Sequence, residues 1–386
     1  MKTVKTIDEL ALLQHMRECE QEIITELSDL VVMNSYTYAP EEVNRFGSWL
    51  SMQFQKMGCH TESLPSCNPS YGNHIKVTFG HAQDQVLVLA HMDTVFPKED
   101  TKVGSLHVEK GMAYGPGIYD MKGGILQLLW AVKLMKEYEL EPKYQVCIII
   151  SSDAEAGGTT ARKYVETEAM HSKAVYGMES AVGESGELKK EQHGTGRYKM
   201  TITGTGGHPG RYLPTTSAIQ ELTFQIQRLH SLSHPEDDVI VNVGQIWGGN
   251  TVNTISANAT ALIELRFLDA EEGKHTEEII LRSQPFTNCR VEVNGGIIRP
   301  SLRRNADTQR LMCMVKRLGA AIGLNFKDGA IGEASDGNYA AALGVPTLDG
   351  LGPVGGGAHS SDEFIEIRTI AERTVLLISI LCNGEV

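Results

Sequence analysis

Uninterrupted apolar runs alternate with helix-like segments along the first third of the chain. The runs VLVLAHMD, YQVCIII and AVYGME lack polar alternation, which is typical of strands buried on both faces. Residues Ile7 to Val32 and the stretches EEVNRFGSWLSMQFQKMG and GGILQLLWAVKLMKEYEL instead place apolar residues at helical spacing. The pattern predicts an α/β fold with a mixed, mostly parallel sheet covered by helices.

The pattern changes at about Gly196. Four segments, YKMTITGTGGHPG, DVIVNVGQIWGG, TALIELRFLD and CRVEVNGG, alternate apolar and polar residues, with helical stretches between them. Such alternation predicts an α+β insertion with a half-exposed antiparallel sheet. The helix–strand order then resumes and ends in a helix over Ala371 to Leu381. We therefore predict a discontinuous α/β domain, residues 1–195 and 301–386, interrupted by a second domain, residues 196–300.

Composition argues against several classes of protein. The 35 basic and 48 acidic residues give a formal charge of −13, which disfavours nucleic acid or an anionic membrane as partner. Charges interrupt the N-terminal stretch, so no secretory signal is expected, and no apolar run reaches the ~18 residues of a membrane span. The seven cysteines are singly spaced, which favours free thiols in a reducing cytoplasm.

Ionisable side chains follow several predicted strands, where open α/β sheets bind their ligands. The candidate metal ligands are His91, Asp120, Glu155, Glu179 and His359. Two imidazoles and three carboxylates suit two divalent cations of the zinc type. Asp120 could bridge two ions about 3.5–4 Å apart, the spacing that serves to activate water. Asp93, two residues after His91, suits the task of holding a ligand imidazole by its other nitrogen.

These motifs resemble a known family. Five motifs occur in the order found in the co-catalytic di-zinc metallopeptidases: AHMDTV, YGPGIYDMKGG, Asp153-x-Glu155-x-Gly157, MES and GGGAHSSDE. That family includes aminoacylases, desuccinylases and the carboxypeptidase G group, which this chain resembles. The resemblance implies two Zn²⁺ per subunit, with Co²⁺ or Mn²⁺ as alternatives. It also implies that Asp120 bridges both metals, that Glu155 and His359 complete one site, and that His91 and Glu179 complete the other. The resemblance further implies that the discontinuous domain is the catalytic one and that the inserted domain usually forms a dimer.

One position departs from the family pattern. Similar proteins read Asp-Glu-Glu-x-Gly, where the first glutamate is the general base for the attacking water and the second is a ligand. This chain has Ala154 at the base position, and a methyl group accepts no proton. Since general acid–base assistance contributes about 10²–10⁴ in rate, we expect metal and substrate binding with very poor turnover. The alanine is either an introduced substitution or the mark of a natural pseudoenzyme; Asp153 is a further candidate base but is expected to point elsewhere.

The resemblance extends to residues that bind substrate. Lys190 matches a glutamate-binding lysine, with Lys189 as an open alternative, and Arg299 matches an arginine that precedes a proline. Two cations suit the two carboxylates of a C-terminal glutamate or aspartate. In the insertion, His208, Asn253 and Arg266 match residues that help to hold the carboxylate or the developing oxyanion, although Arg266 could equally pair within its own domain.

The predicted function is hydrolysis of an amide bond to release a C-terminal acidic amino acid from a peptide, a folate-like compound or an N-acyl conjugate. The predicted partners are that small-molecule or peptide substrate and a second copy of the chain. Three alternatives remain open at this stage: an N-acyl-amino-acid deacylase, a metal-loaded protein that binds acidic conjugates without turnover, and a structural dimerisation protein.

Overall fold

The structure is a computed structural model that describes residues 8–97, 105–210, 214–327 and 329–386. The described α-helices are α1 Glu9–Glu18, α2 Glu20–Val32, α3 Pro40–Lys56, α4 Gly123–Glu137, α5 Arg162–Met170, α6 Ala218–His230, α7 Ala270–Leu281, α8 Ala306–Ala321, α9 Gly337–Ala342 and α10 Ile367–Asn383. The described strands are β1 His60–Leu64, β2 His74–Phe79, β3 Gln85–His91, β4 His107–Glu109, β5 Met112–Tyr114, β6 Gln145–Ser151, β7 Ser172–Gly177, β8 Lys189–Gln192, β9 Gly194–Thr203, β10 Val239–Gly248, β11 Asn258–Phe267, β12 Arg290–Arg299, β13 Ala330–Gly332, β14 Thr347–Leu348, β15 Gly355–Gly356 and β16 Phe364–Glu366.

The chain divides into two compact units. The first comprises Met1–Glu191 and Arg304–Val386, and the second comprises Gln192–Arg303. The predicted boundaries, 195/196 and 300/301, lie four and three residues away, respectively. A single residue separates β8 from β9, so the apolar pattern does not indicate where the first unit ends and the second begins.

A six-stranded mixed sheet forms the centre of the first unit, in the order β1-β2-β6-β3-β7-β14. The neighbours β6, β3, β7 and β14 run parallel, whereas β2 pairs antiparallel with both of its neighbours, β6 and β1. Alternate residues of β3 enter different apolar clusters: Val86 and Val88 pack with α2, α3, α4 and α10, and Leu87 and Leu89 pack with α5 and α9. Burial of both faces explains the uninterrupted apolar runs and confirms the predicted fold class.

The second unit is an antiparallel sheet with two helices, in the strand order β10-β11-β9-β12. Residues at every second position of β9, including Tyr198, Met200 and Ile202, pack in one apolar cluster with α6 and α7. The opposite face is more exposed, as the alternating sequence pattern predicts. Strand β10 lies at one edge of the sheet.

Helix bounds differ from the predicted ones at both ends of the chain. The helix predicted over Ile7 to Val32 is two helices that meet at Cys19, whose ψ of 10° interrupts the helical path; Ile7 lies outside the described residues. Because no glycine or proline marks the break, periodicity alone could not locate it. The last helix is longer than predicted and spans Ile367–Asn383. None of the described helices combines the length and apolar character that a membrane crossing needs.

Candidate metal centre

Three adjacent parallel strands deliver three of the five predicted ligands. His91 is the last residue of β3, Glu155 follows the end of β6 by four residues, and Glu179 follows the end of β7 by two. Because β6, β3 and β7 are neighbours, their carboxyl ends meet at one edge of the sheet. This edge is where open α/β sheets bind their ligands.

The other two predicted ligands, Asp120 and His359, lie on irregular backbone. Asp120 lies in a π-helical turn, Ile118–Lys122, where its φ of −122° and ψ of 87° depart from helical values. The turn leads into α4, and a Cβ on Gly124 would lie 2.4 Å from the carbonyl oxygen of Met178. Only a glycine lets α4 begin this close to the loop that carries Glu179. His359, between β15 and β16, has a φ of 63°.

The five side chains form two groups that share one member. The groups are His91–Asp120–Glu179 and Asp120–Glu155–His359, and within each group the possible ligand atoms lie within 4.8 Å of one another. The Oδ1 atom of Asp120 is 3.0 Å from His91 Nε2, and its Oδ2 atom is 3.2 Å from His359 Nε2. The two oxygens of Asp120 therefore face different groups, as a bridging carboxylate requires.

Close packing of acids and imidazoles perturbs the ionisation of the cluster. Burial raises the pKa of Glu179 to about 8, with the charge of Asp120 adding to the effect. The carboxylates of Asp120 and then Glu155 accept hydrogen bonds from the His359 ring and raise the pKa of His359 to about 11. Burial opposes a charge on His91, but Glu179, Asp120 and Asp93 outweigh it and hold the pKa of His91 above its ordinary value. The carboxylates of the cluster therefore stabilise a positive charge placed between them, whether on an imidazole or on a bound cation.

The donor set fits a pair of divalent cations. Each group offers one imidazole nitrogen and two carboxylates, which suit zinc and similar ions. The Oε1 atom of Glu155 is buried and has no hydrogen-bond partner within the described part of the chain, while Oε2 faces His359 at 3.2 Å. A buried carboxylate oxygen without a donor is energetically unfavourable, and a bound cation would satisfy it.

Asp93 connects His91 to the loop that carries Glu155. It is fully buried, and the His91 Nδ1 atom lies 3.0 Å from its carbonyl oxygen and 3.4 Å from its Oδ1 atom. Its carboxylate accepts hydrogen bonds from the amides of Ala154 and Glu155 and from the hydroxyl of Thr37. The arrangement fixes the ring of His91 with Nε2 directed at Asp120, as the predicted role of Asp93 requires.

Ala154 lies in the same loop with its amide held by Asp93 at 3.1 Å. Asp153, the other acid beside it, is fully buried, and its Oδ2 atom accepts two hydrogen bonds from Thr160 at 2.7 and 2.9 Å. Its Oδ1 atom lies 4.0 Å from His74, which is in neither ligand group. Asp153 therefore lies in an interior network, and its geometry gives no support to a role as substitute base.

The structure places Lys189, rather than Lys190, beside the cluster. Adjacent residues of β8 point to opposite sides, as in any strand. Lys189 is 8% exposed, and although burial opposes its charge, Glu179 and then Asp349 raise its pKa above the ordinary value. Among the described residues, no carboxylate lies within ion-pair distance of its Nζ atom. Lys190 lines a small cleft with Arg304 of the same unit.

The remaining predicted substrate residues lie in the second unit. His208 and Asn253 are exposed, and the Nδ1 atom of His208 accepts a backbone hydrogen bond at 3.1 Å. Arg266 lies on β11, where its guanidinium is 3.4 Å from Glu264. This contact agrees with the alternative that Arg266 pairs within its own domain. Arg299 is the last residue of β12 and is buried.

Sequence reasoning missed two residues that support the site. Thr37 donates to Asp93 from a segment 56 residues away, and no motif marked it. Glu363 accepts three backbone hydrogen bonds from the turn that carries Asp120. Glu363 is the last residue of the quoted motif GGGAHSSDE, and that position was its only signal in the sequence.

Comparison with known proteins gives matches over most of the chain. A family model described as peptidase family M20/M25/M40 matches residues 87–383. Carboxypeptidase G2 from Pseudomonas sp. (strain RS-16) is 26% identical over 364 residues, which cover 91% of this chain and 86% of the relative.

Solved structures share the fold. Aminopeptidase PepT from Bacillus cereus ATCC 10987 superposes with a TM-score of 0.73 at 21% identity, covering 94% of this chain and 98% of that one. The Bacillus subtilis YXEP protein, described as a dinuclear metal binding peptidase from the M20 family, has a TM-score of 0.63 at 14% identity and covers 95% of this chain and 99% of its own.

Proposed function

The chain belongs to peptidase family M20/M25/M40, and from this premise we propose a two-metal hydrolase site for amides with a C-terminal acidic amino acid. We further propose that Ala154 leaves this site able to bind metal and substrate but very slow in turnover. The similarity to Carboxypeptidase G2 supports a carboxypeptidase reaction on a peptide, folate-like or N-acyl conjugate. Zn²⁺ is the proposed ion, with Co²⁺ or Mn²⁺ as alternatives.

A single observation supports the proposal most strongly: Asp120 belongs to both ligand groups. A structural ion would need one closed set of ligands, whereas two groups that share a carboxylate suit a co-catalytic pair. The five residues come from five separate segments of the chain, so chance clustering of surface acids does not account for the arrangement.

The chemistry divides between the ions and the chain. A pair of divalent cations held by the two ligand groups would supply Lewis-acid chemistry, which polarises an amide carbonyl and lowers the pKa of an attacking water. The chain keeps His91 in the required orientation through Asp93, and the amides of Ala154 and Glu155 bind the same carboxylate. A side chain at position 154 should accept the proton of the water and deliver it to the leaving amine. The methyl of Ala154 does neither.

We propose Lys189, in place of Lys190, as the cation that recognises an acidic side chain of the substrate. Its ammonium is nine-tenths buried, lies near Glu179 and has no ion-pair partner within the described residues. Buried charges are normally paired, so a substrate carboxylate would complete its surroundings. Arg299 is proposed as the second cation because its position before Pro300 matches the family pattern. His208, Asn253 and Arg266 remain proposed substrate contacts.

Replacing Lys189 with methionine should abolish the preference for acidic ligands. The metal-loaded chain should bind N-acetyl-glutamate more tightly than N-acetyl-glutamine, because only the former pairs with the ammonium. Lys189→Met should weaken the glutamate ligand about 10- to 100-fold and leave the glutamine ligand nearly unchanged. Isothermal titration calorimetry at saturating metal measures both affinities.

Lys190→Met provides the matched control, since it removes the same charge one residue away on the other side of β8. It should leave both affinities unchanged. If Lys190→Met loses the preference instead, the assignment within β8 is reversed. If neither variant alters the ratio of the two affinities, neither lysine of β8 recognises the acidic side chain. If the unsubstituted chain shows no preference for N-acetyl-glutamate, the proposed acidic specificity is wrong, and an N-acyl-amino-acid deacylase becomes the better assignment.

A second candidate function follows from Ala154 itself. A chain that retains every ligand but lacks the base could serve as a metal-loaded protein that binds acidic conjugates without turnover. This candidate shares the metal centre and the affinity for N-acetyl-glutamate with the first. It differs in its response to a restored base at position 154, which should give no hydrolysis if the rest of the site no longer supports the reaction.

We also propose that the second unit pairs two copies of the chain. Strand β10 lies at the edge of its sheet and exposes Ile246 and Trp247, which are 56% and 53% accessible. An edge strand with exposed apolar side chains is a ready template for pairing with another strand. An identical strand related by a two-fold axis is the simplest partner.

Trp247→Glu should convert a dimer into a monomer, because a glutamate at the pairing edge buries a charge or prevents pairing. Analytical ultracentrifugation should give twice the 42.3 kDa chain mass for the unsubstituted protein and the chain mass for the variant. Phe286→Glu is the control: Phe286 is 58% exposed in the same unit but lies outside β10. Dissociation by Phe286→Glu alone would place the interface elsewhere.

A further inference from the structure

One side chain, that of Glu363, accepts hydrogen bonds from the backbone amides of the turn that carries Asp120. Glu363 is 1% exposed, and its Oε2 atom accepts a hydrogen bond from the amide of Gly117 at 3.0 Å. Its Oε1 atom accepts from the amides of Tyr119 and Asp120 at 2.8 and 2.9 Å. Both carboxylate oxygens of Glu363 are therefore engaged by a four-residue stretch that ends at the bridging ligand.

The geometry of the turn explains why it needs an acceptor from elsewhere. Gly117 has a φ of 68°, and Asp120 and Met121 depart from helical values, so this stretch lacks a regular internal ladder of hydrogen bonds. Buried amides without acceptors would each be unfavourable by about 1–3 kcal/mol. A carboxylate accepts from several donors at once, whereas the NH₂ end of a glutamine would face the amide of Gly117 and repel it.

Glu363 also ends the loop that carries His359. Directly after it, β16 pairs with β5, with Phe364 opposite Tyr114, and the amide of Gly115 donates to the carbonyl oxygen of Glu363 at 3.1 Å. The backbone of Glu363 thus hydrogen-bonds the end of the His359 loop to Gly115, just before the turn of Asp120. Its carboxylate binds the amide of Asp120 itself. One residue fixes the turn of the bridging ligand relative to the loop of another ligand.

We propose that Glu363 is a positioning residue for the metal pair, which holds the carboxylate of Asp120 at its 3.2 Å separation from His359. The inference rests on the proposed two-metal function and extends it to a residue that contacts neither ion. The ligand atoms alone do not determine the separation, because both ligands lie on irregular loops. Outer residues that orient metal ligands typically contribute about 10- to 100-fold to metal affinity.

The second unit contains a matched control. Glu221 is also fully buried, and its carboxylate accepts hydrogen bonds from the amides of Phe286 and Thr287 and from the Thr287 hydroxyl. Like Glu363, Glu221 accepts hydrogen bonds from the backbone amides of a segment distant in sequence. Unlike Glu363, it belongs to the unit without the ligand groups. Substituting either glutamate with glutamine disrupts the same kind of interaction.

The test measures metal binding by the full chain as it stands, with Co²⁺ followed by calorimetry and by its visible absorption. Glu363→Gln should weaken Co²⁺ binding about 10- to 100-fold and alter the absorption band, because the ligand geometry changes. Glu221→Gln should lower the midpoint of thermal unfolding but leave Co²⁺ affinity and spectrum unchanged. Equal Co²⁺ affinity in Glu363→Gln and the unsubstituted chain would overturn the inference, as would an equal loss in both variants.

Two further outcomes are distinguishable. If the unsubstituted chain binds no pair of Co²⁺ ions, the proposed function itself fails. If Glu363→Gln does not fold, Glu363→Asp replaces it, since aspartate keeps the charge but is one methylene too short to reach all three amides. The folded Glu363→Asp chain should still show weakened Co²⁺ binding, and an unchanged affinity would reject the positioning role.

Discussion

Replacing Ala154 with glutamate should raise the rate of amide hydrolysis by about 10²–10⁴ in the zinc-loaded chain. The loop geometry favours this result, because the amides of residues 154 and 155 are already fixed by Asp93 and the neighbouring ligand Glu155 faces His359. A new carboxylate at position 154 would therefore enter a site whose other groups are in place. Initial rates on a panel of N-acyl and peptidyl glutamates, aspartates and neutral amino acids measure the gain.

The pattern of recovery separates the candidate functions. A gain confined to acidic C-termini supports the missing base and the acidic specificity together. A gain on neutral substrates retains the hydrolase and rejects the glutamate assignment. No gain on any substrate, with metal bound, favours the natural binding protein over the hydrolase.

Ala156→Glu is the matched control for this experiment. It adds the same carboxylate to the same loop, on the other side of Glu155. If general-base action at position 154 is the missing element, Ala156→Glu should remain as slow as the unsubstituted chain. A comparable gain from Ala156→Glu would show that added negative charge near the metals, rather than a positioned base, accounts for the effect.

Topology explains why the sequence could predict that three of the five candidate ligands lie close together. His91, Glu155 and Glu179 each follow an apolar run that reads as a parallel strand, and the ends of neighbouring parallel strands meet at one edge. Residue type at a strand end therefore predicts proximity before any side chain is placed. Asp120 and His359 have no such topological signal: they are candidates as an acid in a glycine-rich turn and an imidazole in the motif GGGAHSSDE, and the resemblance implies their roles.

The residues that the sequence did not resolve depend on side-chain direction or on contacts between distant segments. Lys189 and Lys190 differ by one position, and a shift of one residue along a strand exchanges its two faces. Thr37 reaches Asp93 from the segment before α3, where neither spacing nor composition marks a functional residue. The break between α1 and α2 at Cys19 likewise could not be predicted, because no glycine or proline lies there.

Removing the carboxylate of Asp120 should abolish binding of both metal ions. Asp120 is the one residue shared by the two ligand groups, so Asp120→Ala leaves His91 with Glu179 and His359 with Glu155. Each remaining pair of side chains is too few, because such ions usually require three or four protein ligands. Metal content after equilibration with Zn²⁺ should fall from two ions per chain to none at concentrations that saturate the unsubstituted chain.

The same substitution should remove the metal-dependent part of the stability. Ligand at 100 times its dissociation constant stabilises a folded protein by about 2.7 kcal/mol per site, so Zn²⁺ should raise the unfolding midpoint of the unsubstituted chain but not of Asp120→Ala. Asp362→Ala is the control, because Asp362 is an exposed acid three residues from His359 and belongs to neither group. It should retain two ions and the full shift in midpoint. Retention of both ions by Asp120→Ala would contradict the bridging arrangement, since no other His, Cys, Asp or Glu among the described residues belongs to both groups.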